Sequence, residues 1–219
     1  MSRFLKKLYL AIAVPCALNL PLFLGMLEQL MEKAGAGKGV IRLLQILAAV
    51  LLVLTYLWLL VWPVRDSART GLRARMMMGG RRSICWGLYG AVLQVWVIWR
   101  LFRPASGIAL MLGKGFQILD VVLAVLGILF LLFFGTLRIF FTSRRLGIVR
   151  RIVMLLTWWI PLVNLAVLLY ACRLVYEEYD FEREKAELRA LRVDSDLCAT
   201  RYPLLMVHGI GFRDLRYFN

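Results

Sequence analysis

Residues 43–64 read LLQILAAVLLVLTYLWLLVWPV, and this stretch decides the class of protein to which the chain belongs. A helix needs about 20 mostly apolar residues to cross the hydrocarbon core of a bilayer. Only Gln45 places a strongly polar side chain within this stretch. The stretch therefore predicts a transmembrane helix from Leu43 to Val64.

Similar apolar segments lie on both sides of this stretch. They predict further spans at Leu8–Met26, Ile84–Phe102, Phe116–Leu137 and Ile152 to about Val175. The chain is 62% hydrophobic, whereas a soluble domain is typically about 45–50% apolar. We therefore predict an all-α polytopic membrane protein with about five transmembrane helices in residues 1–175. Pro15 and Pro21 predict a kink in the first span, and a cleaved signal peptide is the alternative for that segment.

The formal net charge of +15 would indicate nucleic-acid binding in a soluble protein. Here the basic residues lie in short segments between apolar spans, so we predict the lipid bilayer as partner and no nucleic acid. One predicted side carries fourteen of them: Arg3, Lys6, Lys7, Arg65, Arg69, Arg73, Arg75, Arg81, Arg82, Arg138, Arg144, Arg145, Arg150 and Arg151. The opposite side carries six: Lys33, Lys38, Arg42, Arg100, Arg103 and Lys114. The positive-inside rule then predicts a multi-pass protein of the cytoplasmic membrane with its N-terminus in the cytoplasm. Five spans would place the C-terminal tail outside.

Few residues in the sequence are suited to binding a metal or cofactor. His208 is the single histidine. The four cysteines, Cys16, Cys85, Cys172 and Cys198, have the spacing of neither a disulfide framework nor a zinc site. We therefore predict no metal and no cofactor.

Polar residues inside the predicted spans are candidates for function, because burying them is costly. Asp120 is the only acid within a span, and we interpret it as forming a local ion pair with Arg100 and Arg103. We expect Asn19, Gln94 and Asn164 to form hydrogen bonds between helices.

The character of the chain changes after Val175. Residues 176–193 read YEEYDFEREKAELRALRV and contain neither Gly nor Pro, which predicts a charged helical spacer over residues 176–201. Residues 202–214 then read YPLLMVHGIGFRD. An apolar run bounded by Pro203 and Gly209 predicts a short buried strand followed by a tight loop.

This motif resembles the N-terminal strand and oxyanion loop of bacterial triacylglycerol lipases of the α/β-hydrolase superfamily. In that family the strand ends in His-Gly, and the next residue donates a backbone N–H to the oxyanion. The resemblance implies an oxyanion loop at His208, Gly209 and Ile210, with Ile210 as donor. His208 would then not be the histidine of the catalytic triad. Residues 202–219 would be the opening strand and loop of an incomplete hydrolase domain.

The resemblance implies a serine carboxylic-ester hydrolase acting on lipid or other acyl esters. The family's nucleophile lies in G-x-S-x-G, which this sequence lacks, so no nucleophile is assigned and enzymatic activity stays open. We therefore interpret the chain as the membrane anchor and N-terminal fragment of a lipase or esterase that acts outside the cytoplasmic membrane, inactive as it stands. The alternative is a non-enzymatic polytopic protein, such as a transporter subunit or membrane scaffold.

Overall fold

The computed structural model describes residues 3–64, 70–101 and 114–192. Helices account for 91% of these residues, which contain no strand. The all-α prediction is therefore confirmed over this part of the chain. The predicted strand and loop at 202–219, with His208, Gly209 and Ile210, lie outside the described residues.

The described residues form seven α-helices and one short 3-10 helix. They are α1 (Arg3–Leu18), α2 (Leu20–Lys33), α3 (Lys38–Val61), α4 (Leu72–Leu101), α5 (Lys114–Thr142), α6 (Gly147–Leu156), a 3-10 turn (Thr157–Trp159) and α7 (Pro161–Arg192). Helices α3, α4 and α5 are each long and apolar enough to cross a membrane. The pair α1 and α2 adds a fourth crossing if it is counted as one bent span. The structure is thus compatible with the predicted multi-pass membrane protein.

The first predicted span is not one helix but two, which meet at an angle of 100° beside Asn19. Pro21 lies in the first turn of α2, where a missing N–H costs nothing because the first N–H groups of a helix have no partner within it. Pro15 lies inside α1 and cannot donate to the carbonyl of Ala11 one turn earlier. The Tyr89 hydroxyl of α4 donates to that carbonyl instead, at 3.1 Å.

Glycines allow the three long helices and α1 to pack closely. A Cβ on Gly80 of α4 would lie 2.8 Å from the carbonyl oxygen of Gly135 in α5, and a Cβ on Gly135 would lie 2.9 Å from that of Gly80. The two backbones are therefore in direct contact, as is common between membrane helices. The methyl groups of Leu18 occupy the space above Gly90 and Gly127, at 2.6 and 2.7 Å from the positions of their missing Cβ atoms.

The prediction of a fifth crossing at Ile152 to Val175 is wrong, because the chain enters and leaves at the same end of the bundle. The carboxylate of Glu178 accepts hydrogen bonds from the Ser143 hydroxyl at 2.6 Å and from the Arg144 N–H at 3.1 Å. A single crossing would separate these groups by about 30 Å. Residues 147–175 instead go inward along α6, turn at residues 157–160 and return along α7. We call this segment the re-entrant hairpin.

Further contacts identify the end of the bundle at which the hairpin begins. There the Arg82 guanidinium donates to the Trp62 carbonyl at 2.7 Å, and that of Arg138 donates to the carbonyl of Val61. The hydroxyl groups of Tyr9 and Thr55 are hydrogen-bonded at 2.6 Å, which places the start of α1 beside the last turns of α3. Five parts of the chain thus meet at one end of the bundle, which we call the Arg-rich end. They are the start of α1, the end of α3, the start of α4, the end of α5 and the charged part of α7.

Candidate functional site

Glu178 organises the Arg-rich end. Its buried carboxylate accepts a 2.9 Å hydrogen bond from the Arg73 guanidinium, in addition to those from Ser143 and Arg144. The backbone N–H of Arg145 donates to the same carboxylate at 3.3 Å. A buried carboxylate is tolerated when its charge is paired and its oxygen atoms are hydrogen-bonded. Glu178 therefore joins α4, the end of α5 and α7 at one point.

The local sequence explains why Glu178 faces inward. Val175 and Tyr179 are buried on the same face of α7, one turn before Glu178 and immediately after it. The acid thus interrupts an apolar stripe rather than lying on the solvated face. The charge pattern of residues 176–201 predicted a spacer and gave no indication of this site. An acid in register with the apolar positions of α7 was the signal that could have found it.

Arginine side chains at this end also lie against aromatic rings. The guanidinium carbons of Arg81 and Arg82 lie 4.6 Å and 4.4 Å from the ring centroids of Tyr176 and Trp58. Such contacts are favourable, and they hold cations at the level where aromatic residues meet the membrane surface. The Arg-rich end therefore presents ordered positive charge, which is suited to binding anions. Within the described residues, no group of His, Cys, Asp and Glu is arranged to hold a metal ion.

Asp120 has a role different from the predicted one. Its Oδ1 atom accepts a hydrogen bond of 3.1 Å from the backbone N–H of Leu22, in the first turn of α2. That N–H has no partner within its own helix, so the carboxylate of α5 caps α2 at the bend. The predicted ion pair with Arg100 is not formed in the described part of the chain, where the Arg100 guanidinium lies 5.6 Å from the Trp96 ring. Arg103 lies outside the described residues.

The prediction that Asn19 and Gln94 bond between helices is also wrong for the described residues. The amide nitrogen of Asn19 donates to the Pro15 carbonyl of its own helix, at 3.1 Å. Both polar side-chain atoms of the buried Gln94 have no hydrogen-bond partner there. Hydroxyl groups do form bonds between helices, with Tyr56 donating to the Gly127 carbonyl at 2.8 Å and Ser83 to that of Leu59 at 3.0 Å. Short hydroxyl side chains reach a neighbouring carbonyl where helices pack closely.

Two cysteines meet across the base of the re-entrant hairpin. The thiols of Cys85 in α4 and Cys172 in α7 lie beside each other. Both are free thiols, as is Cys16, whereas Cys198 lies outside the described residues. The pair was not visible from sequence spacing, because 87 positions separate its members and only the packing of α7 against α4 brings them together.

The site that the resemblance implies, His208, Gly209 and Ile210, lies beyond the part of the chain that the structure describes. Comparison of the chain with protein-family models, curated proteins and solved structures finds no significant match. The functional interpretation consequently rests on the residues of this chain and their arrangement.

Proposed function

We propose that residues 3–192 form a membrane anchor that holds a lipase-like hydrolase segment at the Arg-rich end of the bundle. The observation that carries this proposal is the return of the chain at Glu178. Helix α7 continues from that point to Arg192 without a break, so the residues that follow begin at the Arg-rich end. The next motif is YPLLMVHGIGFRD at 202–214, with its resemblance to a lipase oxyanion loop.

The same observation bears on the side of the membrane that the tail occupies. Four crossings and a re-entrant hairpin leave the tail on the side of the N-terminus. The positive-inside rule assigns the Arg-rich end to the cytoplasm. We therefore place the hydrolase segment at the cytoplasmic surface of the membrane, in place of the outer surface predicted from five crossings. Its substrate class would be acyl esters of lipids in the facing leaflet.

In this proposal the chain supplies attachment and part of an oxyanion site. The backbone N–H of Ile210 would donate to the negative oxygen that develops when an ester carbonyl is attacked. His208 and Gly209 would shape the loop that presents this donor. A serine nucleophile and its base would complete the chemistry, and this sequence contains no G-x-S-x-G serine to carry it.

Reporter fusions test the placement of the tail. Green fluorescent protein matures in the cytoplasm, and alkaline phosphatase is active only outside it. With either reporter after Asn219, we expect fluorescence and no phosphatase activity. Phosphatase inserted at Gly37, between α2 and α3, should be active and provides the control. Phosphatase activity after Asn219 would overturn the placement.

A second candidate is a non-enzymatic polytopic protein, such as a transporter subunit or scaffold. The buried Gln94 favours it, because its amide has no partner among the described residues, and such an amide inside a membrane bundle is costly and often marks a functional position. A fluorophosphonate probe, which labels activated serines, distinguishes the two. This sequence carries no G-x-S-x-G serine, so the probe is applied in native membranes and the chain is captured together with whatever supplies that serine. A labelled serine in the captured material would support the hydrolase, and its absence would favour the second candidate.

A further inference from the structure

An apolar groove of about 320 Å³ lies between the two arms of the re-entrant hairpin. Val153 and Met154 of α6 form one wall, and Val163, Ala166 and Val167 of α7 form the other. The groove is open along one side rather than enclosed. In a helix that faces the bilayer, an apolar groove is accessible to lipid chains rather than to water.

The groove has a direction with respect to the membrane. Arg150, in the first turns of α6, and Leu174 of α7 line the end of the groove that lies nearer the Arg-rich end. Val163, near the start of α7, lies at the other end, close to the turn of the hairpin. The rise of a helix from Val163 to Leu174 is about 16 Å. The groove thus extends from the Arg-rich end towards the interior of the bilayer, as an acyl chain does.

The mouth of the groove is positively charged. The Arg150 guanidinium lies 5.7 Å from the ring centroid of Tyr170 and donates to the Arg145 carbonyl at 3.0 Å. These contacts hold the cation at the rim. The nearby acid Glu178 already accepts hydrogen bonds from Arg73 and from the loop before α6, so it is not available to neutralise Arg150.

Charge and shape together select one occupant. We infer that this groove binds one acyl chain of an anionic phospholipid, with the lipid phosphate beside Arg150. A zwitterionic lipid would fit the apolar walls equally well, but its cationic headgroup would face Arg150 and its neighbours. Each basic residue near a membrane surface strengthens the binding of anionic lipid about fivefold. We expect the preference for an anionic headgroup to be at least of this size.

Native mass spectrometry of the full chain in detergent tests this inference. The protein is titrated with dioleoyl phosphatidylglycerol or with dioleoyl phosphatidylcholine, which share their acyl chains. We expect one high-affinity phosphatidylglycerol per chain, bound at least fivefold more tightly than phosphatidylcholine. Equal affinity for the two lipids would overturn the inference.

Two variants separate the headgroup from the chain. Arg150→Gln should lower the affinity for phosphatidylglycerol to that for phosphatidylcholine. Ala166→Phe places a ring in the exposed groove and should abolish high-affinity binding of either lipid. Arg42→Gln removes the same charge near the start of α3, at the end of the bundle away from the groove, and should leave both affinities unchanged.

An unchanged affinity for phosphatidylglycerol in Arg150→Gln contradicts the site, and so does an equal loss of affinity in Arg42→Gln. If Ala166→Phe does not fold, Val163→Phe, at the deep end of the groove, replaces it. Full lipid binding by a folded variant with a filled groove would mean that only the headgroup is recognised, which contradicts binding of the acyl chain in the groove.

Discussion

At the scale of single residues, several polar side chains of the described residues complete hydrogen bonds that helix geometry leaves open. Tyr89 donates to the Ala11 carbonyl, to which Pro15 has no N–H to donate, and Asp120 accepts from the Leu22 N–H at the start of α2. Glu178 does the same for the N–H groups that precede α6. The sequence showed Asp120 as a polar group in apolar surroundings, whereas Glu178 lay within the predicted charged spacer and was missed. Their partners lie on other helices, so only the packed structure could assign them.

Glu178 provides the residue-scale prediction. Glu178→Ala would leave the Ser143 hydroxyl and the loop N–H groups without their acceptor, and Arg73 would keep only its longer contact of 3.4 Å to Glu182. Breaking such a pair typically costs about 3–5 kcal/mol. We therefore expect a clear fall in the midpoint of thermal unfolding in detergent. Size-exclusion chromatography after heating measures this midpoint. Glu187→Ala is the control, because its partner Arg183 lies on the exposed surface of α7 and surface ion pairs contribute about 0–1 kcal/mol. Equal effects of the two substitutions would contradict the role of Glu178.

At the scale of helices, hydropathy predicted which segments are apolar, but not where their axes change direction. The spans predicted at 43–64, 84–102 and 116–137 each lie largely within one long helix. The spans predicted at 8–26 and 152–175 each divide into two helices. The proline residues of the first span predicted a kink, yet the 100° bend at Asn19 also needs Asp120 to cap the new helix. Such a cap depends on a contact that no local pattern records.

The crossing of α4 and α5 gives a first prediction for helices. Gly135→Ala places a methyl group 2.7 Å from Ile84 Cγ1 and 2.9 Å from the Gly80 carbonyl oxygen, and backbone cannot move aside cheaply. Overpacking of this kind costs roughly 1–3 kcal/mol. Gly115→Ala lies in the same helix with nothing within 4 Å of the added atom, and it should be neutral or stabilising. The same thermal assay should therefore separate the two substitutions, and a stabilised Gly135→Ala would refute the close crossing.

The packing of the re-entrant hairpin against α4 gives a second prediction for helices. In a variant with Cys16→Ser and Cys198→Ser, a copper–phenanthroline oxidant should join Cys85 and Cys172. The two thiols lose two protons and two electrons to the oxidant and form one disulfide bond. Maleimide coupled to polyethylene glycol, added after denaturation, should then find no thiol, whereas reduced protein should take up two adducts. Two adducts after oxidation would show that α7 does not lie beside Cys85.

At the scale of the whole molecule, the contact between Glu178 and Ser143 changes the number of membrane crossings that we propose. Counting apolar segments gives five crossings, because a hydropathy window records composition and not direction. The hydrogen bonds at Glu178 turn the fifth segment into an excursion that begins and ends at one end of the bundle. The distribution of Lys and Arg over the earlier loops is unaffected, so the predicted orientation of the N-terminus stands as a prediction. In our proposal only the side of the tail differs from the sequence-based prediction.

Accessibility of single cysteines tests this number of crossings in the complete chain. In a variant in which all four native cysteines are serine, one cysteine is introduced at Ala34, after α2, or at Ala190, near the end of α7; both positions are exposed. With a maleimide that cannot cross membranes, we expect intact cells to be labelled at position 34. Position 190 should be labelled only after permeabilisation, because the re-entrant hairpin returns the chain to the Arg-rich end. Five true crossings would instead make both positions reactive in intact cells. Labelling of position 190 alone would mean that the whole bundle is inverted against its charge distribution.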